Sequence, residues 1–379
     1  MSSTDSTAPE TGERPRVDRI WVAPVALLFG LWLWLAFSSG GYIAGQWLPS
    51  SLALGLFGLV VALLVAYPRR PRQLSMVLLG LFACYSLWVA LSAFWAASTT
   101  RVWMESGRTF SYLLVFTLAL MYLTAPAARR AFRYLLVAAC FLILALCVWK
   151  LWSADIVTTL FSYNRFYYPV RYPNNAGALF LVGFWPLLWL AAGPEERAPV
   201  RGVALGIATG LLGLAILTQS RGALWSLALS VVFVFVISPA RMRTFVYLLV
   251  PALLMAYEFP TLNRYWLEGP EAVGGAVGAR TLTVAVVTAA FIGMILALLE
   301  KWIKVGRRTK TIIGAITLVA VVAGSVYGSF ALTKDVGGPF KWASQTWRQF
   351  TGQDAPESES AGDSRFTYLS SSGRVDIWR

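Results

Sequence analysis

Long apolar runs, separated by short polar segments rich in basic residues, occupy the chain from about position 20 to position 332. About 20 apolar residues suffice to cross the hydrocarbon core of a bilayer as an α-helix. The pattern therefore predicts an all-α, polytopic transmembrane bundle of about eleven spans. The predicted spans are Ile20–Phe37, Ser51–Ala66, Leu74–Ala97, Phe110–Thr124, Tyr134–Trp149, Asn175–Ala192, Gly202–Thr218, Ala223–Ile237, Phe245–Tyr257, Leu282–Leu299 and Ile312–Leu332.

The composition excludes a soluble protein, because 58% of the 379 residues are hydrophobic and only 13% are charged. The net charge of +14 does not indicate a nucleic-acid partner, since the basic residues are scattered between apolar runs. Cys84, Cys140 and Cys147 lie inside apolar segments and are expected to be core residues. The chain has no histidine, which excludes imidazole catalysis and histidine-bound metals for these residues alone.

The distribution of basic residues predicts an orientation. If the amino terminus is cytoplasmic, every loop on that side carries at least two basic residues, as the positive-inside rule requires. We therefore expect a multi-pass protein of the cytoplasmic membrane, with a polar cytoplasmic tail at 1–19 and a bundle at 20–332. Residues 333–379 are expected to begin a large extracytoplasmic loop of a longer protein. In that loop Phe340, Ala343, Trp347 and Phe350 have helical spacing, which indicates an interfacial helix or a helix packed on the bundle.

The middle of each predicted span lacks Asp, Glu, Lys and Arg. Ion-coupled carriers need ionisable groups at bilayer depth, so this pattern disfavours such a carrier. The polar residues are concentrated instead in the predicted outer segments Ser98–Thr109, Ser153–Asn174 and Glu258–Thr281. This distribution is typical of an enzyme that acts on a lipid-linked substrate at the outer membrane surface.

Arg221 lies in TQSRGA, a short polar break between two apolar runs on the predicted outer side. Its guanidinium could make paired hydrogen bonds to phosphate oxygens. Alternatively, it could be a turn residue whose side chain reaches the lipid headgroups.

A second group of polar residues lies in NRFYYPVRYPNNAG, and it combines Arg165 and Arg171 with several aromatic rings and with Asn174 and Asn175. Rings stack on sugar faces, asparagines bind hydroxyls and arginines bind diphosphate. An aromatic belt with an asparagine helix cap is the alternative interpretation. Further substrate-binding candidates in the outer segments are Arg280 and, more weakly, Arg101, Arg108 and Arg264.

At these positions the chain resembles the O-antigen ligase and O-antigen polymerase superfamily. TQSRGALWSLALSVVFVFV (Thr218–Val236) is similar to the helix pair that contains Ser-Arg-Gly in that family, and RYPNNAGALFLVGFWPLLWL (Arg171–Leu190) is similar to the segment before it. SGRVDIWR (Ser372–Arg379) resembles the family's Gly-Arg segment, and Leu91–Leu118 has a less specific similarity.

The resemblance implies a metal-independent glycosyltransferase without a cofactor, which transfers a glycan from a polyprenyl-diphosphate donor to a glycan or lipid acceptor. Arg221 and Arg374 would hold the diphosphate, and the family's histidine would lie downstream of Arg379. The outer segments also lack the clustered Asp residues that metal-dependent transferases use. Two alternatives from other classes are a transporter or flippase of lipid-linked oligosaccharides and a structural membrane subunit.

Overall fold

The structure of the protein is a computed structural model, and it describes residues 22–64, 73–123, 126–238, 240–302, 306–332 and 337–350. Within these residues the chain forms thirteen α-helices and one short β-hairpin, which confirms the all-α prediction apart from that hairpin. The helices are α1 (Val22–Phe37), α2 (Ala44–Leu64), α3 (Gln73–Leu91), α4 (Thr99–Tyr122), α5 (Pro126–Ser153), α6 (Pro173–Ala192), α7 (Ala198–Leu217), α8 (Arg221–Ile237), α9 (Arg241–Leu267), α10 (Pro270–Val273), α11 (Gly275–Trp302), α12 (Arg307–Leu332) and α13 (Pro339–Phe350). The strands are β1 (Phe161–Ser162) and β2 (Arg165–Phe166).

Six helices of the described chain, namely α3, α5, α6, α7, α9 and α11, are long and apolar enough to cross a membrane. Helices α1, α2 and α8 contain shorter apolar stretches. A polytopic helical bundle is therefore supported by length and composition. The predicted tail at 1–19 lies outside the described residues, as does most of the predicted loop at 333–379.

Two of the predicted outer segments are largely helical. Residues Thr99–Thr109 form the first turns of α4, and Glu258–Thr281 contains the end of α9, the short α10 and the start of α11. A helix does not have to end at the membrane boundary, because charged side chains on its last turns reach water. In α4 the ion pair between Arg108 and Glu105, at 2.8 Å and three residues apart, supports the polar extension.

The chain divides into two compact units, Met1–Ala139 and Cys140–Arg379, with the boundary inside α5. In the first unit α3 packs on α4, and α4 also packs on α2. Ser111 Oγ donates a hydrogen bond to Ser51 Oγ at 2.7 Å between α4 and α2. The ring of Trp47 lies against Gly107, where a Cβ atom would approach Trp47 Cη2 to 2.9 Å, so the glycine permits this close helix contact.

The second unit is built around α7, of which every residue from Ala204 onward is buried. Helices α6, α9 and α11 pack around it. The close contact of α7 with α11 depends on two glycines of α7. A Cβ atom at Gly202 would lie 2.5 Å from the carbonyl oxygen of Ala290, and one at Gly206 would lie 2.7 Å from that of Val286. Helices in membranes typically pack closely through such small residues.

We call the two ends of this unit the Arg201 end, where α7 begins, and the Arg221 end, where α7 stops and α8 begins. Arg201 lies just before the predicted span Gly202–Thr218, but it belongs to the first turn of α7 and is only 4% exposed. Its Nε donates to the carbonyl oxygen of Ala191 at 2.7 Å, and its Nη2 donates to Tyr247 Oη and, at 2.9 Å, to Glu300 Oε2. One side chain thus joins α6, α7, α9 and α11.

A second arginine at the Arg201 end holds the end of α8. Arg241 Nε donates to the carbonyl oxygen of Phe235 at 2.7 Å, and Nη2 donates to that of Val236 at 2.9 Å. These are carbonyl groups of the last turn of α8, which lack partners within the helix. A positive charge at a helix C-terminus is also favoured by the helix dipole. Helices α6 and α8 therefore each have a C-terminal carbonyl bound by an arginine.

Candidate functional site

The turn that carries the Arg221 end is compact and buried. Thr218, Gln219 and Ser220 connect α7 to α8 and are at most 1% exposed. Gln219 has a φ of +48, which is unusual for a residue other than glycine and is retained only where the surrounding contacts enforce it. Ser220 is the N-cap of α8, and its Oγ accepts a hydrogen bond from the Ala223 amide at 3.3 Å. The first residue of α8 after this cap is Arg221, which is half-buried.

A β-hairpin in the α5–α6 connection lies against this turn. Its two-residue loop, Tyr163 and Asn164, has positive φ at both positions, as a type I′ turn requires. The side-chain amide of Asn164 donates to the carbonyl oxygen of Trp266 at 3.3 Å, near the end of α9. On the second strand Phe166 is fully buried and stacks on Phe180 of α6. These contacts fix the hairpin between α6 and α9 and so position Arg165.

Arg165 joins the two segments that the sequence analysis singled out. Its Nε donates to the carbonyl oxygen of Thr218 at 3.1 Å, and its Nη2 donates to Oδ1 of Asn174. The alternative interpretation, in which an asparagine caps the next helix, does not hold for the Asn174 side chain. Helix α6 begins at Pro173 with Tyr172 as N-cap, and no side chain makes the capping hydrogen bond. The asparagine instead helps to hold the arginine.

Gly177 permits the close contact of α6 with the turn. A Cβ atom at this position would lie 2.9 Å from Thr218 Oγ1, 3.0 Å from Ala223 Cβ and 3.1 Å from Ser220 Cβ. A side chain would therefore force α6 away from the start of α8. The glycine of the PNNAG segment thus has a packing role that its sequence alone did not indicate.

A groove runs between α6 and α8 from the Arg221 end toward the middle of the unit. Its volume is about 490 Å³, and one end is formed by Asn174, Ser220 and Gly222. Near the other end Trp185 Nε1 donates to Ser230 Oγ at 2.8 Å, which connects the two walls. The lining residues are Asn174, Ala178, Leu181, Val182, Trp185, Ser220, Gly222, Ala223, Ser226, Leu227 and Ser230.

The groove is open along its side and combines two kinds of surface. Ala178, Val182 and Ser226 line it and are also exposed. On the α6 side the groove is lined mainly by apolar side chains. On the α8 side it is lined in part by the hydroxyl groups of Ser226 and Ser230, which are four residues apart on one face of the helix. An elongated apolar group with a polar head at Asn174 and Ser220 would fit this arrangement.

The structure brings together only part of the predicted site. Arg165, Asn174 and the turn that precedes Arg221 form one contiguous cluster. Arg171 and Asn175 are exposed, the former with a φ of +59, and Arg280 is exposed in the second turn of α11. Arg374 lies outside the described residues.

Two of the weaker candidates are paired with carboxylates. Arg108 binds Glu105, and Arg264 binds both carboxylate oxygens of Glu268 at 2.8 Å. The Arg264 hydrogen bonds lower the pKa of Glu268, which lies just beyond α9. Glu268 therefore stays charged at neutral pH and neutralises the arginine. In the hairpin connection, burial raises the pKa of Tyr168, so that this phenol stays neutral.

The sequence analysis missed three features of this unit. The first is the ion pair of Arg201 with Glu300, since the two residues are far apart in sequence and both lie outside the predicted spans. The second is the contact of Gly177, and the third is the groove. For the groove a signal was present, because Ser226 and Ser230 share one face of an otherwise apolar helix. Comparisons of the chain with protein-family models, with curated proteins and with solved structures gave no match.

Proposed function

We propose that the protein is a membrane glycosyltransferase of surface polysaccharide biosynthesis, similar to O-antigen ligases and polymerases. It would transfer a glycan from a polyprenyl-diphosphate donor to a glycan or lipid acceptor at the outer face of the cytoplasmic membrane. The observation that carries this proposal is the position of Arg221. This half-buried arginine begins α8 between Ser220 and Gly222, which line the end of a groove that is open along its side, and Arg165 binds the turn that precedes it.

The Arg221 end has the charge that a diphosphate requires. Two guanidinium groups, those of Arg165 and Arg221, are combined with the N-terminus of a 17-residue helix. Backbone amides and the helix dipole both favour an anion at such a terminus. At Gly222 nothing lies within 4 Å of the position that a Cβ would occupy, so a phosphate group could approach the backbone there.

The groove supports the assignment of a lipid-linked donor rather than a soluble nucleotide sugar. The segment of α6 from Asn174 to Trp185 is about 16 Å long, at 1.5 Å per residue. The donor's diphosphate would lie at the Asn174 and Ser220 end, and the first part of its prenyl chain would follow the apolar wall. The rest of the chain would leave through the open side into the bilayer.

In the proposed reaction an acceptor hydroxyl oxygen attacks the anomeric carbon of the donor sugar. The new glycosidic bond forms as the bond from the anomeric carbon to the diphosphate oxygen breaks, and the prenyl diphosphate leaves with the electron pair. Arg221 and Arg165 would stabilise the charge that develops on this leaving group. The proton of the acceptor hydroxyl passes to a general base, a role that the resemblance assigns to a histidine and that this sequence, which has no histidine, does not fill.

The same proposal includes a topology. Each of the eleven predicted spans overlaps one described helix of 16 or more residues, namely α1 to α9 without exception, α11 and α12. We assign all eleven as membrane-crossing, with the amino terminus in the cytoplasm. The Arg221 end then faces outward, and the Arg201 end lies on the cytoplasmic side, where basic residues are favoured.

Binding of farnesyl diphosphate, a short soluble probe, tests the site directly. Relative to the unsubstituted protein, Arg221→Ala is expected to weaken binding about 10- to 100-fold, the effect of losing hydrogen bonds to a charged group. The affinity of Arg221→Lys should lie between those of the unsubstituted protein and of Arg221→Ala, because an ammonium has the charge of a guanidinium but cannot make its paired contacts. Arg197→Ala is the matched control, since this exposed arginine lies at the Arg201 end. Equal affinity of the Arg221→Ala variant would overturn the proposed site.

An assay in proteoliposomes that contain labelled lipid-linked glycan and an acceptor distinguishes the enzyme hypothesis from the flippase hypothesis. Transfer that falls by about 10²- to 10³-fold in Arg221→Ala supports the enzyme. If the unsubstituted protein moves the labelled donor between leaflets without forming product, the alternative transporter assignment is correct.

A further inference from the structure

Helix α13 is amphipathic, and its apolar face is exposed. Phe340, Ala343 and Trp347 lie on one side of the helix, with Phe340 86% and Trp347 65% exposed. The opposite side carries polar groups, including Lys341 and Arg348. Leaving two large aromatic side chains in water would be costly, because the burial of apolar surface is favourable.

The contact of α13 with α8 indicates what covers this face. Trp342 packs on Trp225, with 5.7 Å between ring centroids. Trp225 belongs to a stripe on α8 that continues with Leu229 and Phe233 at intervals of four residues, and all three are exposed. In a bundle within a membrane such an exposed apolar stripe faces lipid. Helix α13 is therefore attached to the lipid-facing side of α8, at its Arg221 end.

The length and residue types of α13 determine how it can meet the bilayer. Twelve residues span about 18 Å as a helix, well short of the hydrocarbon core of about 30 Å. A helix of this length does not cross the membrane but can lie along its surface. Tryptophan and phenylalanine are both suited to that position, since aromatic rings are favoured at the headgroup level.

From these observations we infer that α13 is a membrane-surface helix, which inserts the Phe340, Ala343 and Trp347 face into the leaflet at the Arg221 end. The expected depth is about 5–10 Å, at the boundary of headgroups and acyl chains. Lys341 and Arg348 lie on the opposite, polar face. The apolar face by itself should be sufficient for insertion into a bilayer without anionic lipid.

Spin labels on single cysteines test this inference in the protein reconstituted into phosphatidylcholine vesicles. Of the three native cysteines only Cys84 is exposed, so Cys84→Ala gives the background, and the buried Cys140 and Cys147 remain. Labels are placed at positions 340, 341, 343, 344, 347 and 348. Collision rates with oxygen, which concentrates in lipid, and with a water-soluble nickel chelate are then compared. A label at Leu229 serves as the lipid reference and one at Tyr163, which is 91% exposed, as the water reference.

The labels at positions 340, 343 and 347 are expected to have the collision rates of the lipid reference. Those at positions 341, 344 and 348 are expected to have the collision rates of the water reference. Equal access of the nickel chelate to all six positions would show that the helix stands away from the bilayer and would overturn the inference. Protection of 340, 343 and 347 from both reagents would show that protein covers the face, and would also overturn it. Loss of that protection on dilution with lipid would then identify a second copy as the covering protein.

Discussion

Nη2 of Arg165, on the second strand of the hairpin, donates a hydrogen bond to Oδ1 of Asn174, in the first turn of α6. The same guanidinium also reaches the carbonyl oxygen of Thr218. The hairpin, α6 and the α7–α8 turn are thereby held by one side chain. A cation placed among neutral oxygen acceptors keeps its positive charge, so the group that holds the turn also contributes charge to the proposed phosphate site.

The Arg165 and Asn174 side chains should be energetically coupled. Arg165→Ala and Asn174→Ala should each lower the midpoint of thermal unfolding in detergent, and the double variant should lose less than the sum of the two. Coupling energies of residues in contact are about 0.5–3 kcal/mol. Asn174→Ala combined with Arg171→Ala is the control pair, because Arg171 is exposed. The stability losses of these two substitutions should add. Additivity for the Arg165 pair would show that this hydrogen bond does not stabilise the folded protein.

Gly177→Ala should destabilise the protein by about 1–3 kcal/mol, the usual cost of overpacking. The new Cβ would lie within 3.1 Å of Thr218, Ser220 and Ala223, so α6 would have to move from the turn. Gly80→Ala is the matched substitution, since no atom lies within 4 Å of its Cβ position and alanine favours the helix. Thermal unfolding of both variants checks the prediction, which requires a loss at position 177 and none at position 80.

Ser220→Ala should cost about 1 kcal/mol, because it removes the side-chain acceptor for the Ala223 amide at the start of α8. Ser98 precedes α4 in the corresponding position but makes no capping hydrogen bond with its side chain. Ser98→Ala should therefore change the unfolding midpoint less. If the two variants lose the same stability, capping by Ser220 does not explain the effect.

Arg201→Ala should be the most destabilising of these single substitutions. It removes the partner of the Ala191 carbonyl, of Tyr247 and of Glu300 at once, and breaking a buried ion pair typically costs about 3–5 kcal/mol. Glu300 is partly exposed and lies 3.4 Å from Arg243, so the lower part of that range is expected. Arg197→Ala removes an exposed arginine one turn earlier and should leave the unfolding midpoint nearly unchanged.

The helices were more predictable than the contacts. Each apolar run contains a helix because hydrophobicity and length act locally, and α13 occurs where the spacing of Phe340, Ala343 and Trp347 predicts it. The first turns of α4 were missed, since Ser98–Thr109, which includes Arg101 and Arg108, was assigned to an outer segment between two spans. The ion pair of Arg108 with Glu105, three residues earlier, stabilises a helix in this segment. A prediction that rests on hydrophobicity alone does not detect such a pair.

The candidate site was predictable in its residue types but not in its geometry. Arg165 and Asn174 were identified from the sequence as substrate-binding candidates, but the hydrogen bond between them was not predicted. The alternative of an asparagine cap does not hold, because Tyr172 is the N-cap of α6. The neighbours of Gly177 and of Arg201 come from helices remote in sequence. Such contacts depend on how the helices pack, which a single sequence does not specify.

The two arginines that bind helix C-termini have a consequence for motion in the second unit. Arg201 holds the last turn of α6 and Arg241 holds the last turn of α8, and these two helices are the walls of the groove. At the Asn174 and Ser220 end, Arg165 and the close contact of Gly177 hold the two walls as well, so their relative displacement is restricted at both ends. A bulky ligand would then be admitted and released sideways, through the open flank of the groove, and not by separation of the two helices.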